Sequence, residues 1–298
     1  MNSTHLAGIV PIANLKTNYE IAIPPYLLPI ETGFTAIQKS VHECAVAGCN
    51  TIWIVANQDT APIVRKVLGE YVYDPVHYNN RLAGYNISEY RKEIPIYYTG
   101  IRDKDRDRRD SYGWSILHGI HSAWWVSFKI SKWMIPEKYY ISFPMGIYDY
   151  EVVRKHRILI SSRDKNFFTT YNGKTVKDNV PLSFTMKKDD FIYCRRNVNK
   201  LTTREYLPPA EGEKYPSKKL PFKDRWSARW FDLKTVFDKT DEENSLKLEL
   251  DWYHDLSSFE GYREYLGSNN KISVPIKQLT KPQKHGRIFK KSGDSDEE

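Results

Sequence analysis

The sequence lacks an apolar run long enough to cross a bilayer. A membrane-spanning helix needs about 18 or more consecutive apolar residues, and the longest aromatic-rich run, 121–130, is interrupted by Ser127 and Lys129. The first five residues lack a basic segment followed by an apolar stretch, so no signal peptide is predicted. We therefore expect a soluble, cytoplasmic protein without a membrane partner.

Cysteine is also scarce, and this limits disulfide and metal chemistry. The three cysteines, Cys44, Cys49 and Cys194, provide neither a disulfide framework nor a CxxC metal pair. We predict that they are small buried apolar side chains. His118 and His121 lie three residues apart, but no nearby Glu or Cys completes a metal site.

What the sequence does contain is sufficient for a large core and a positive surface. The 298 residues are 40% hydrophobic and 14% aromatic, with a formal net charge of +8. Such a charge favours attraction to anions, including nucleic acid or nucleotide phosphates, without identifying the partner. We interpret the four tryptophans at 114, 124, 125 and 133 as mostly core residues, although Trp114 could stack on a base.

Strands and helices alternate along the first half of the chain, which favours a mostly parallel sheet with right-handed crossovers. Beyond residue 161 the pattern consists of short strands and polar turns. The predicted elements are strands at 8–13, 51–56, 94–99, 139–143, 167–171, 182–186 and 191–194, and helices at 33–48, 61–68, 115–130 and 257–266. The fold class is therefore α/β, with a mixed, mostly parallel central sheet flanked by helices.

The chain is predicted to form one domain over residues 1–280. A Pro-, Lys- and Glu-rich segment at about 200–225 is typical of a loop-rich insertion, and 281–298 of a charged, disordered tail.

The first seventy residues carry a set of spaced motifs. Pro25-Tyr26-Leu27-Leu28-Pro29-Ile30 precedes Gly33 at the start of a helix, and Ala47-Gly48 ends that helix before an Ile/Val-rich strand. This order resembles the opening of the sugar nucleotidyltransferase (nucleotide-sugar pyrophosphorylase) family, and 8–70 is its strongest part. The resemblance implies a nucleotide-diphospho-sugar transferase (GT-A, Rossmann-like) fold. It also implies a reaction that joins a nucleoside triphosphate and a sugar 1-phosphate to give a nucleotide sugar and pyrophosphate.

The resemblance implies candidate site residues in this chain. The segment 252–266 resembles the closing element of the family, in which Asp255 matches a metal-binding aspartate. Asp149 is a candidate displaced metal ligand, and Lys214 matches the lysine that binds the sugar phosphate. The alternatives are that Asp149 caps a helix, that Lys214 is a solvated loop lysine and that Asp255 is a turn residue. The implied nucleotide-binding positions are Ala13, Asn14, Lys16, Thr17, Tyr26, Gly113 and Trp114. The implied cofactor is Mg²⁺ if the protein is active, and otherwise none.

Several residues on which the family's chemistry depends are replaced. Ala13 and Asn14 stand where paired glycines would let backbone N–H groups approach phosphates. Tyr26 replaces a lysine, and a phenol carries no positive charge at neutral pH. Met145 replaces the first metal-binding aspartate, and a thioether does not hold Mg²⁺.

Three functions remain open from the sequence. The first is a nucleotidyltransferase-like protein with impaired or absent catalysis, which binds a nucleoside triphosphate or nucleotide sugar. The second is a non-catalytic binding or assembly module, with a protein partner or a homo-oligomer, in which Tyr26 and Met145 fill the former cleft. The third is a nucleic-acid binder that uses the basic surface.

Overall fold

The computed structural model describes residues 5–15, 17, 19, 21, 23–76, 92–102, 105, 111–162, 165–202, 207–219, 231–242 and 245–275. The strands are β1 (Leu6–Pro11), β2 (Pro29–Glu31), β3 (Phe34–Thr35), β4 (Thr51–Ala56), β5 (Tyr71–Tyr73), β6 (Glu93–Gly100), β7 (Lys138–Ile141), β8 (Gly146–Ile147), β9 (Phe167–Thr170), β10 (Phe184–Lys187), β11 (Leu246–Glu249) and β12 (His254–Asp255). The helices are α1 (Ala36–Ala47), α2 (Ala61–Leu68), α3 (Tyr112–Ile130), α4 (Glu151–Arg154), α5 (Arg157–Ile160), α6 (Lys188–Thr202), α7 (Leu233–Phe237) and α8 (Phe259–Gly267).

The main sheet has the order β11-β9-β10-β7-β1-β4-β6-β5. Its centre is parallel, because β1 pairs with β7 and β4, and β4 pairs with β6. Antiparallel pairs join β10 to β7 and β9, and β5 to β6. The predicted mixed, mostly parallel sheet with flanking helices is confirmed.

Strand β1 is buried on both faces, as expected for the centre of a parallel sheet. Leu6 and Val10 pack in the cluster that contains α1, whereas Ala7 and Ile9 pack in the cluster that contains α3. Alternate side chains of a strand point to opposite faces. The two helices therefore cover opposite faces of the sheet.

One predicted strand was wrong. Residues 191–194 belong to helix α6, where Phe191, Cys194 and Val198 are buried at spacings of three and four. That spacing is helical, but four residues are too few to distinguish it from a strand. The tail 281–298 and Lys16 lie outside the described residues.

The tryptophan prediction was partly wrong. Trp114 is buried, but Trp125 is 41% and Trp133 96% exposed. Helix α3 buries the face that carries Ile116, Ile120 and Ala123, so the rings near its carboxyl end lie on the outer face. The sequence offers apolar residues for both faces of α3, and only packing decides which face is covered.

Helix α1 ends at Gly48 as predicted, begins at Ala36 rather than at Gly33, and is buried around its whole circumference. Thr35 and Gln38 form a capping box at its start, and Gly48 adopts φ 95° at its end. Burial extends to Lys39 and Glu43, which lie one turn apart and have side chains with no exposed area.

The Lys39–Glu43 pair is the centre of a buried polar network. The Lys39 ammonium lies 2.7 Å from Glu43 and donates to the Gly146 carbonyl at 2.8 Å. The Glu43 carboxylate also accepts hydrogen bonds from the hydroxyls of Tyr140, Ser142 and Tyr148. Burial would raise the pKa of Glu43, but the Lys39 charge, together with hydrogen bonds from Lys39, Tyr148 and Tyr140, outweighs it and holds the pKa below its ordinary value.

We predict that Glu43→Gln costs about 3–5 kcal/mol of unfolding free energy, because it leaves the buried Lys39 ammonium without its counter-ion. Equilibrium urea unfolding measures the loss. The control is Glu70→Gln, which removes the exposed Arg65–Glu70 pair and should leave stability essentially unchanged. Equal losses in the two variants would contradict the role of the buried pair.

His42 on α1 generates a pH-dependent prediction. Its Nδ1 atom is buried without a hydrogen-bond partner, and burial lowers its pKa from 6.5 to about 3. Between these values the unfolded chain binds a proton that the folded protein does not, so stability falls as the pH falls below 6.5. We expect His42→Leu to reduce the slope of unfolding free energy against pH in this window by up to about 1.4 kcal/mol per pH unit. An unchanged slope would show that His42 is protonated in the folded protein.

Candidate functional site

A cleft of about 360 Å³ opens beside the carboxyl end of β1. Its walls come from the loop after β1, the amino terminus of α3, the segment at 179–181, the start of α7 and the turn after β12. The lining residues are Asn14, Leu15, Ser111, Tyr112, Asn179, Pro181, Phe231, Asp232, Leu233, Asp255 and Ser257. Ligands of open α/β sheets bind at this edge.

The loop after β1 turns sharply where the family resemblance places glycines. The backbone N–H groups of Ile12 and Ala13 both donate to the Val55 carbonyl, at 2.9 and 2.8 Å. Asn14 then adopts φ 58°, in the left-handed region that asparagine tolerates better than most residues. Asn14 lines the cleft, whereas Ala13 is fully buried. Thr17 is half-buried and outside the cleft lining.

The amino terminus of α3 contributes Ser111 and Tyr112 to the cleft. Ser111 caps the helix by accepting a hydrogen bond from the Trp114 backbone at 3.2 Å. The predicted residues Gly113 and Trp114 do not line the cleft. Gly113 packs against α7, since a Cβ there would lie 2.7 Å from the Val236 side chain.

Asp255 is placed at the cleft by the short antiparallel pair of β8 and β12. It lies opposite Gly146 in that pair, and its Oδ1 accepts a hydrogen bond from Ser257 N at 2.9 Å. Burial, reinforced by the Asp255 charge, raises the pKa of the neighbouring Tyr112 well above its ordinary value. The same causes raise the pKa of Tyr253, whose buried hydroxyl has no hydrogen-bond partner.

Gly146 holds three parts of this region together. Its carbonyl accepts from Lys39, its backbone faces Asp255, and an added Cβ would lie 2.0 Å from the Pro181 carbonyl oxygen. Only glycine permits that approach. The wall of the cleft at Pro181 is therefore fixed against β8.

The two carboxylates predicted as magnesium ligands occupy different surroundings. Asp255 lines the cleft, whereas Asp149 is half-buried and accepts a hydrogen bond from Glu151 N at 3.2 Å, as a helix-capping residue does. Met145 is fully buried in the α1 core cluster. The described residues contain no group of three or more His, Cys, Asp or Glu that could hold a metal ion. Asp149 is not among the residues that line the cleft with Asp255, so the structure does not bring the predicted ligand pair together there.

Tyr26 and Lys214 also lie outside the cleft lining. Tyr26 is buried in the short 3₁₀ helix Pro25–Leu27, and burial raises its pKa. Lys214 is an exposed loop residue with its ammonium 6.0 Å from the Tyr215 ring. The hypothesis that Tyr26 and Met145 fill the former cleft does not match this arrangement, because both pack into the core and the cleft is open.

Sequence reasoning missed the wall of the cleft formed by Asn179 and Asp232. Asp232 caps α7 by accepting from Thr235 N at 2.7 Å, and its other oxygen accepts from Asn179 Nδ2 at 2.8 Å. Burial would raise the pKa of Asp232, but these hydrogen bonds outweigh it and lower the pKa. The available sequence signal was an Asp immediately before an apolar helical run, which indicates a cap but not a cleft.

Among the described residues, every helix is too short or too polar to traverse a bilayer.

No protein-family model matches the sequence, and no curated protein matches it.

Solved structures do match the fold. The chain is similar to a putative glucose-1-phosphate thymidylyltransferase from Bacillus anthracis in complex with sucrose, with a TM-score of 0.55 and 9% identity over 91% of this chain and 98% of the other. It is also similar to a UDP-glucose pyrophosphorylase complexed with UDP-glucose, with a TM-score of 0.51 and 13% identity over 88% and 97% of the two chains. The protein therefore has the fold of the sugar-phosphate nucleotidyltransferases.

Proposed function

We propose that this protein is a non-catalytic binding module that holds an uncharged, hydroxyl-rich ligand, the sugar or nucleoside moiety of a nucleotide sugar, in the cleft. The observation that carries this proposal is the chemistry of the cleft wall. Its described lining combines two carboxylates, two amides and two aromatic rings and contains no lysine or arginine.

Charge disfavours a polyphosphate in this cleft. A nucleoside triphosphate carries about four negative charges, which nucleotidyl transfer neutralises with cations. Without a bound cation, Asp232 and Asp255 would repel these charges. The positive end of α3 is equivalent to only about half an elementary charge, so it does not offset two carboxylates.

Hydrogen-bonding capacity favours a neutral polyol. Carboxylates accept hydrogen bonds from hydroxyls, and the Asn14 amide can both donate and accept. The Asn179 amide already donates to Asp232 and accepts from Lys234 N. The rings of Tyr112 and Phe231 provide apolar surface for the faces of a sugar or base.

Two residues on which catalysis of nucleotidyl transfer would depend are replaced in this chain. Met145 is in the core at the position implied for a metal-binding aspartate, and Tyr26 is a buried phenol at the position implied for a lysine. Removing one electrostatic stabiliser of a transition state costs about a hundredfold to a thousandfold in rate. The loss of both therefore favours binding without turnover.

One observation favours the catalytic alternative, namely that Asp255 remains exposed at the cleft. That alternative predicts Mg²⁺-dependent release of pyrophosphate from a nucleoside triphosphate and a sugar 1-phosphate, with loss of the activity in Asp255→Asn. Nucleic-acid binding, the third function, predicts an affinity that falls steeply with salt concentration.

We predict that calorimetry detects binding of glucose, uridine or UDP-glucose with an affinity that Mg²⁺ does not change. Asp255→Asn should weaken this binding about tenfold, because a hydrogen bond to a charged group contributes about 1.5–3 kcal/mol. The matched control is Asp251→Asn, which changes an exposed aspartate outside the cleft lining and should bind like the unmodified protein.

Two results would contradict the proposal. The first is tight binding of a nucleoside triphosphate that requires Mg²⁺. The second is equal weakening by the Asp255 and Asp251 substitutions, which would place the ligand outside this cleft.

A further inference from the structure

Apolar side chains crowd the outer face of α3 and the turn that follows it. We call this surface the aromatic patch, and its members are Trp124, Trp125, Phe128, Ile130, Trp133 and Met134. Ile130 is 65% and Trp133 96% exposed. Contiguous exposed apolar surface of this kind marks an interaction site.

The rings of the patch are already stacked on one another. Trp124 and Phe128 lie 5.5 Å apart at an interplanar angle of 12°, and Trp125 and Phe128 lie 6.3 Å apart at 26°. The Lys129 ammonium lies 4.7 Å from the Trp125 ring centre. Three of the four rings in the patch therefore contact a neighbouring ring, whereas the fourth, Trp133, is 96% exposed.

Positive charge surrounds the patch. The whole segment 111–136 contains no Asp or Glu, and Lys129 and Lys132 are exposed within it. At the opposite end, His121 stacks on Trp125, with ring centres 6.4 Å apart. Burial, reinforced by the nearby Arg195 and Arg102 guanidinium groups, lowers the pKa of His121 to about 4. Lys129 and Lys132 therefore place positive charge beside the apolar centre, and the exposed Glu137 follows this segment.

We propose that the aromatic patch docks on the surface of an anionic lipid bilayer. Tryptophan, aliphatic side chains and lysine together are the composition of interfacial membrane elements, in which rings and apolar groups enter the headgroup region and lysines contact anionic lipids. Charge complementarity therefore favours this partner. The sequence predicted no membrane partner because it lacks a spanning segment, and surface docking does not need one.

Two other occupants fit the surface less well. A single-stranded nucleic acid would stack successive bases on several free rings, but Trp124, Trp125 and Phe128 contact one another, which leaves Trp133 as the ring of the patch that stands apart. A second copy of the chain in a two-fold dimer would place the patch against itself. Lys129 and Lys132 would then oppose cations of the same kind.

Vesicle sedimentation tests this proposal on the full-length protein. With vesicles of three parts phosphatidylcholine to one part phosphatidylglycerol, we expect co-sedimentation and a blue shift of tryptophan fluorescence. Vesicles of phosphatidylcholine alone should bind at least tenfold more weakly, and added salt should reduce binding to the anionic vesicles.

Variants distinguish binding through the aromatic patch from nonspecific adsorption to lipid. Trp133→Ala should weaken anionic-vesicle binding at least tenfold, and the Lys129→Gln/Lys132→Gln double variant should reduce the preference for anionic lipid. Because Trp133 is 96% exposed, its substitution should leave the circular dichroism spectrum and unfolding midpoint unchanged. The control is Phe259→Ala, which removes a 52% exposed ring outside the patch and should bind like the unmodified protein.

Several outcomes would overturn the proposal. The first two are the absence of vesicle binding and equal vesicle binding by Trp133→Ala and the unmodified protein. The third is a dimer, seen by analytical ultracentrifugation, that Trp133→Ala dissociates. The fourth is binding of a single-stranded oligonucleotide that Trp133→Ala abolishes. None of them depends on the ligand of the cleft, so this test is independent of the proposed function.

Discussion

The buried ion pair between Lys39 and Glu43 joins the parts of the fold that form the cleft. Glu43 accepts hydrogen bonds from β7, from the segment after it and from Tyr148 just beyond β8. Ser183, which precedes β10, joins the same network through the Tyr140 hydroxyl at 3.0 Å. Without the carboxylate, Ser142 would lose the acceptor of its hydroxyl, and an unsatisfied buried polar group costs about 1–3 kcal/mol. Tyr140 and Tyr148 would retain only their hydrogen bonds with Ser183. The arrangement of α1 over the sheet is therefore strongly specified.

The same network reaches the cleft through Gly146. Lys39 holds the Gly146 carbonyl, and the backbone of Gly146 contacts both Asp255 and Pro181. The Met145 carbonyl accepts a hydrogen bond from Leu256 N at 2.7 Å, which fixes the turn after Asp255. The geometry of the cleft wall thus depends on a helix that does not itself line the cleft.

The fold and the transfer chemistry depend on different features of the chain. Asn14 retains the left-handed turn that glycine would otherwise provide, so the loop after β1 keeps its path. Met145 and Tyr26 contribute apolar burial at positions where the resemblance implies a charged group. Such replacements preserve the core while they remove charge from the site, which is why a shared fold does not establish a shared reaction.

The sequence by itself determined the elements whose signals are local. The alternation of strands and helices over 8–70, the end of α1 at Gly48 and the bounds of α2 follow from periodicity and helix-ending residues, and they indicate the fold class. The sequence also indicated Asn14 and Asp255, both of which line the cleft.

The tertiary structure alone decided the remaining contacts of the cleft and the core. Asn179 and Asp232 meet through a contact between residues 53 positions apart, and no local pattern encodes such a distance. Lys39 and Glu43 look like a solvated pair on one helix face until the sheet and β8 bury them. Trp125 lies on the outer face of α3 because the opposite face, with Ile116 and Ile120, is the one that is buried.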